Sequence, residues 1–473
     1  MGWIEKCLSG CLSALLVILV IMPGPYAYAA NATLAWDPNT EPDLAGYRVY
    51  IGSESGSYPY SVDTGMETGY TLSNLVPDKT YYFSVTAYNT TGAESAHSME
   101  LVYHTPAGTP STHKMIAGFG AFPEEGGWAE AIGSDYLHGG WLRVEWPEYN
   151  SLSGESRIAK GDIDGDGKDE IIIGLGPVSG YSSIPNGMFE VLDDDYTHLA
   201  WGQIEWADYN AVNGETWPAC GDIDGDRKDE VIIGLGLGGH GKIEVFDYTS
   251  GELVHKEWIE VEWQDYNTAR GESRPASGDI DGDGKDEIII GLGPVSEDTS
   301  IPNGIFEVLD DDYTHLAWGQ VDWADYNAVS GETWPACGDV DGDRKDEIII
   351  GLGPGGGGRF ETHVYQGTEV AHSGWSQVNW QDYNALFGET RPACGDIDSD
   401  KKDEILIGLG KGGEAIMQVF DDSLEGYTYI TSLQAGPQGY DVANGETWPA
   451  IIMLNRIFGV NPMPWLKILL LEN

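Results

Sequence analysis

From residue 116 onward the hydrophobic and polar positions fall into one recurring figure. A glycine-bearing acidic loop leads into a β-branched run such as Ile171-Ile172-Ile173, and shorter alternating segments follow. The loop opens at Asp162, Asp222, Asp279, Asp339 and Asp396, so its spacings alternate 60, 57, 60 and 57. A period of about 58 residues is too long for the common helical arrays and leaves room for four short strands with loops. In one copy the strands are expected at Glu215 to Ile223, Val231 to Leu235, about Lys242 to Phe246 and about Trp258 to Trp263.

Four antiparallel strands per copy, repeated radially, describe the blade of a β-propeller. The second strand recurs near Ile116, Ile171, Val231, Ile288, Ile348 and Ile405, and the first opens at Glu155, Glu215, Glu272, Glu332, Glu389 and Glu446. The first copy has no first strand ahead of it, and the last first strand has no second strand behind it. Glu446 to Leu454 is therefore expected to complete the blade begun at Ile116 and close the ring without exposed edges. The expectation is an all-β, six-bladed propeller over 116–454, with a seven-bladed ring as the alternative. Residues 455–473 match no repeat.

Within each acidic loop, positions one, three and five are Asp, position seven offers a backbone carbonyl, and position nine is Glu. The five sets are Asp162, Asp164, Asp166, Lys168 and Glu170; Asp222, Asp224, Asp226, Lys228 and Glu230; Asp279, Asp281, Asp283, Lys285 and Glu287; Asp339, Asp341, Asp343, Lys345 and Glu347; and Asp396, Asp398, Asp400, Lys402 and Glu404. Alternate residues of a tight loop converge their oxygens on one point, and a hard dication such as Ca²⁺ takes six to eight oxygens. Without a cation such carboxylates repel one another. An EF-hand would need a Glu at position twelve, where the first loop has Ile173 in a strand-like run. Ca²⁺ at about five sites is thus the expected cofactor. Position six is Gly167 and Gly284 in two loops but Arg227, Arg344 and Lys401 in the others, and the Asp396 loop also carries Ser399 in place of Gly. A left-handed residue is unstrained only as glycine, so the two loops with glycine are expected to bind more tightly. The last inner strand runs into Met453-Leu454-Asn455-Arg456, which leaves one blade metal-free.

These loops, flanked by strands, resemble the calcium loops of FG-GAP repeats, the units of the integrin α-chain propeller and its bacterial relatives. The resemblance covers 116 to about 450, with Glu where the family usually has Asp at position nine. Phe119-Gly120 is the one Phe-Gly, and Gly174-Leu175-Gly176-Pro177 stands for the family's Gly-Ala-Pro. The resemblance implies a calcium-dependent recognition surface for a protein or glycan ligand.

Ahead of the repeats, Lys6, the apolar run from Leu12 to Met22 and Ala27-Tyr28-Ala29-Ala30 make a signal peptide over 1–30. Residues 31–107 alternate as short strands at Thr33-Leu34-Ala35-Trp36, Gly46-Tyr47-Arg48-Val49-Tyr50 and Tyr81 to Tyr88, which suits a β-sandwich. With Trp36, Gly46-Tyr47, Leu75 and Tyr81 at these places the segment resembles a fibronectin type III domain, a usual spacer in exported proteins. Residues 108–115 are a polar linker.

The formal charge is −53, and Glu5 and Lys6 cancel within the leader. So acidic a chain repels nucleic acid and anionic membranes and invites cations. The leader's apolar run is too short to span a bilayer and no other apolar stretch reaches that length, so the mature chain is expected to be periplasmic, cell-surface or extracellular. Of five cysteines, Cys7 and Cys11 leave with the leader, and Cys220, Cys337 and Cys394 share one repeat position. Three interchangeable thiols make no disulfide framework.

Two further registers ride on the repeat. His138, Trp141, Trp146 and Tyr149 recur as His198, Trp201, Trp206 and Tyr209, and again from His255, His315 and His372. Near-equivalent copies point to packing between blades. Early in each first strand the residue alternates as Arg157, Trp217, Arg274, Trp334, Arg391 and Trp448, which implies pseudo-threefold symmetry. Lying at the end opposite the acidic loops, these six are either a ligand-binding rim or cross-blade Arg–Trp stacks. The expected function is non-enzymatic recognition or adhesion. A lyase-like polysaccharide enzyme and a purely structural surface module are the alternatives. A catalytic site needs one blade to differ, and no unique nucleophile–base pair stands out.

Overall fold

The computed structural model describes residues 30–453, apart from 40, 53–54, 59, 76–79, 105–112, 123–124, 153, 179–183, 296–301, 399, 424–425, 438 and 441–443. The expected leader, most of the linker, Ser399 and the tail lie outside the described residues. The chain divides into two compact units, Met1–Ser111 and Thr112–Asn473.

In the first unit Ala30–Ala35 pairs with Gly69–Leu75, and a second sheet runs Tyr60–Gly65, Leu44–Gly52, Thr80–Asn89, Leu101–His104. Strand alternation sorts its residues. Tyr47 and Val49 join Leu34, Trp36, Phe83 and Ala87 in the core, while Arg48 and Tyr50 turn outward onto Glu94. Trp36 meets the Tyr47 ring edge-on at 5.7 Å.

In the second unit the strands form six four-stranded antiparallel sheets. Numbered along the chain, the first sheet is begun by His113–Phe119, Trp128–Gly133 and His138–Arg143, and Thr447–Met453 supplies its inner strand, with Thr447 opposite Phe119 and Trp448 opposite Gly118. The inner strands of the other five are Arg157–Gly161, Thr216–Gly221, Ser273–Gly278, Thr333–Gly338 and Thr390–Gly395. Each touches the next, and Thr447–Met453 touches both Thr390–Gly395 and Arg157–Gly161, so the ring of inner strands is closed. The β-branched runs are second strands, buried on both faces between neighbouring sheets, as in Glu230–Leu235.

The fourth strand of the third sheet spans Glu252–Glu260, short of the expected Trp263. Trp263 instead precedes one turn of helix, Gln264–Thr268. Equivalent turns follow at Pro147–Ser151, Ala207–Val212, Ala324–Asn327 and Gln381–Leu386. The aromatic register serves these turns. Trp146 stacks on Tyr149 at 5.8 Å. The buried Tyr149 hydroxyl donates to the Glu155 carbonyl (2.6 Å) and accepts from the Gly176 N–H (2.9 Å), tying the turn to the start of the first strand and the end of the second. The tyrosine persists in the last copy as Tyr440, bonded to the Glu446 carbonyl. The histidines do a separate job. Glu130, Glu190, Glu244 and Glu307 each take a His Nδ1 on one oxygen and a backbone N–H of the adjacent sheet on the other. These buried glutamates staple sheet to sheet.

Candidate functional site

Five of the inner strands, from Arg157–Gly161 to Thr390–Gly395, are entered from a helical turn and leave into an acidic loop, so the turns and loops lie at opposite ends of them. In the loop Asp162–Glu170, Asp162 accepts the N–H groups of Gly165 (2.8 Å) and Gly167 (2.9 Å). Asp164 accepts that of Asp166 (3.0 Å) and Asp166 that of Lys168 (3.0 Å). The Oε2 of Glu170, which is buried, accepts from Ile163 at 3.0 Å and fixes the loop on the second strand. The pattern recurs in all five loops: Ile223 to Glu230, Ile280 to Glu287, Val340 to Glu347, Ile397 to Glu404. Position six is left-handed everywhere, with φ of +86° at Gly167 and +93° at Gly284, and +73°, +76° and +77° at Arg227, Arg344 and Lys401. Those three side chains adopt a conformation that costs them about 1 kcal/mol each.

The loops bring Asp162, Asp164 and Glu170 together with oxygens within 4.8 Å of one another. The Oε1 of Glu170 and that of Glu287 are buried with no hydrogen-bond partner. Burial, then the neighbouring Asp164 or Asp281 charge, pushes both glutamates up to about 8. Glu347 rises to about 8 and Glu404 to about 9 for the same reasons.

The Asp222 loop differs. The Lys256 ammonium sits 2.8 Å from Asp224 Oδ2, 2.7 Å from Glu230 Oε1 and 2.9 Å from Asp247 Oδ1. The residues at its place in the other copies, after His138, His198, His315 and His372, are Gly139, Leu199, Leu316 and Ser373. The spacing pattern within the loop carries no sign of this lysine, which reaches it from the fourth strand.

The Arg/Trp alternation converges on one axis. The rings of Trp217, Trp334 and Trp448 lie 5.1, 5.1 and 5.3 Å apart. Arg157 covers Trp217 at 3.5 Å, Arg274 covers Trp334 at 3.5 Å and Arg391 covers Trp448 at 3.4 Å. Each guanidinium also meets two glutamates, as Arg274 does with Glu272 (2.7 Å) and Glu332 (3.1 Å). All six residues are buried, and the cavity they leave is about 100 Å³, room for a few waters. These six residues contact one another and, through the arginines, the flanking glutamates. The thiols of Cys220, Cys337 and Cys394 are free, and burial holds them well above the ordinary thiol range.

A larger opening lies on the side of the helical turns. It is a groove of about 540 Å³ between the fourth and fifth sheets, lined among others by Trp323, Arg359, Gln377, Asn379, Trp380 and Asn384. Arg359 stands 4.4 Å over the Trp323 ring. Trp323 and Trp380 are fixed from behind by Tyr326 and Tyr383 at 5.6 and 5.4 Å. Sequence reading assigned these tryptophans to packing alone. One face of each ring does pack, and the groove was not legible because it forms between two sheets.

Comparison with known proteins assigns the first unit: residues 29–101 match the fibronectin type III domain model. No FG-GAP model matches the repeats. A Kelch domain-containing protein of Saccharolobus solfataricus is 32% identical over 87 residues, 18% of this chain and only 11% of that protein's length. Among solved structures, an exotype rhamnogalacturonan lyase aligns over 86% of this chain and 81% of its own at 14% identity and a TM-score of 0.33. The Bacillus licheniformis rhamnogalacturonan lyase covers 79% and 85% at 14% identity and 0.33. A Desulfotomaculum acetoxidans protein of unknown function covers 71% and 98% at 10% and 0.35. Among the described residues no helix is long and apolar enough to cross a membrane. The chain is an all-β protein whose residues 29–101 are a fibronectin type III domain.

Proposed function

We propose that the second unit is a six-bladed β-propeller, stabilised by Ca²⁺, that recognises a glycan outside the cytoplasm and performs no chemistry on it. The observation that carries the reading is the buried, partnerless Oε1 of Glu170 and Glu287, each beside two further carboxylates, Asp162 and Asp164 or Asp279 and Asp281. Their donor set of hard oxygens fits Ca²⁺. Asp162, Asp164, Asp166, the Lys168 carbonyl and Glu170 would hold it in the first loop, and the same positions in the Asp279, Asp339 and Asp396 loops. The ion supplies charge neutralisation there. In the Asp222 loop Lys256 supplies that charge, so four loops take metal.

The groove supports the choice of a glycan. Tryptophan faces pack on the apolar faces of sugar rings, while guanidinium and amide groups satisfy hydroxyls. Exposed apolar tips at Val212, Val329 and Leu386 lie on the helical turns or just beyond them, at the same end of the inner strands. The test is a glycan array probed with the full chain in calcium and in EDTA. Binding that requires calcium, and that Trp323→Ala with Trp380→Ala abolishes while the calcium-dependent melt persists, is the expected result. Binding unchanged by the double substitution overturns the assignment of the groove.

A further inference from the structure

One sheet departs from the staple described above, and the departure carries chemistry. Opposite the fourth-strand histidine, or Tyr429 in the sixth sheet, the third strands place Ile132, Leu192, Phe246, Leu309 and Phe420. In the fifth sheet that position, opposite His372, is His363. Its side chain is 1% exposed, its ring lies 5.1 Å from that of Phe306, and neither ring nitrogen has a hydrogen-bond partner.

The glutamate beside it has rearranged. In the four other Glu–His sheets both carboxylate oxygens are engaged, one by the histidine and one by the neighbouring backbone. Glu361 takes both partners on Oε1, the Asp322 N–H at 2.8 Å and His372 Nδ1 at 2.7 Å. Its Oε2 is left without a partner, buried, 3.6 Å from His363 Nε2. A partnerless imidazole and a partnerless carboxylate oxygen thus face each other in an apolar surround, which is costly unless something sits between them. Donor atoms sharing one ion at about 2.0–2.2 Å are separated by roughly 3.3 Å, close to the spacing here.

We propose that Glu361, His363 and His372 bind a transition-metal dication of the Zn²⁺ class. One donor atom from each lies within 4.8 Å of the others. Two imidazoles and one carboxylate suit Zn²⁺ and leave a fourth position open to water, whereas Ca²⁺ prefers all-oxygen sites. The ion replaces the His372–Glu361 hydrogen bond, and a neutral His372 donates its lone pair. His372, 28% exposed, gives the route in from solvent. Its three donors are neither loop carboxylates nor residues that line the groove.

The test uses the full, untagged chain in saturating calcium, titrated with zinc chloride by calorimetry and with cobalt chloride by visible absorption. One equivalent of zinc and the intense bands of tetrahedral cobalt are expected. His363→Phe should weaken zinc at least about 100-fold and remove the bands. Phe246 and Phe420 already occupy that position in two other sheets, so the variant is expected to fold, which its melt checks. Glu361→Gln, copying Gln418 of the sixth sheet, gives the same loss by a second route. His315→Gln, in an ordinary staple, should leave zinc binding unchanged. Absence of the zinc equivalent in the native chain, or its survival in both His363→Phe and Glu361→Gln, overturns the proposal.

Discussion

The loops at Asp162 and Asp222 share one backbone. In each, the first aspartate caps two N–H groups, the third and fifth positions each accept one more, and a buried glutamate anchors the turn. They differ in what stands before the carboxylates. At Glu170 one oxygen is buried without a partner; at Glu230 the same oxygen accepts from the Lys256 ammonium. The glutamates register the difference, Glu170 rising to about 8 and Glu230 to about 7, where burial is partly offset by Lys256. In the Asp222 loop the positive charge before the carboxylates is covalently attached, and in the Asp162 loop Glu170 Oε1 has none beside it.

The largest way to break the comparison is to take the dications away. With sites binding at roughly 0.1–1 mM, millimolar calcium adds about 0.4–1.4 kcal/mol per loop, so four loops add about 2–6 kcal/mol. EDTA should lower the melting temperature by several degrees, and an unshifted melt would remove metal from all of them. Next, Lys256→Met deletes the attached charge. In EDTA the variant should lose about 1–3 kcal/mol through the unpaired carboxylates, and calorimetry should count one calcium more than in the native chain. An unchanged count would mean that the ammonium does not stand for an ion.

The pH dependence sharpens the same contrast. A carboxyl raised in the folded state contributes stability that is full below its unfolded value near 4.5 and is lost as pH rises through its folded value. Calcium-free protein should therefore melt lower at pH 8 than at pH 5, through Glu170, Glu287 and Glu347 near 8. The gain from calcium should grow over that window, because its ligands must be deprotonated. A calcium-free melt flat between those pH values would contradict the raised glutamates. The smallest effect is at position six. Arg344→Gly relieves a left-handed arginine and should stabilise the calcium-free chain by about 1 kcal/mol while tightening the Asp339 loop.

What could be read from the chain beforehand was local. The loop ligands lie within nine residues, and the β-branched runs announce second strands, so both follow from spacing. Pairing of Thr447–Met453 with His113–Phe119 followed from a missing strand at each end of the repeat. Lys256 was not legible, because it enters from another strand and is one lysine among many. The helical turns were missed because one turn is too short to show a 3.6-residue period. The stapling glutamates hid among the acidic excess, and Trp217, Trp334 and Trp448 gave their symmetry but not their mutual contact. His363 was overlooked because the histidine register one strand later drew the attention, while its own place in other copies is apolar.

The last strand of the first sheet also sets an order on synthesis. His113–Phe119 leaves the ribosome before the other five sheets, and its inner partner Thr447–Met453 leaves after them. Until then Met115 and Ile116, both fully buried in the finished ring, face an open edge. The nascent chain must therefore be shielded or kept unfolded over that strand while the five other sheets are made, or its edge will pair with another chain. Loss of Thr447–Met453 should for that reason be punished by aggregation far more than the seven residues suggest.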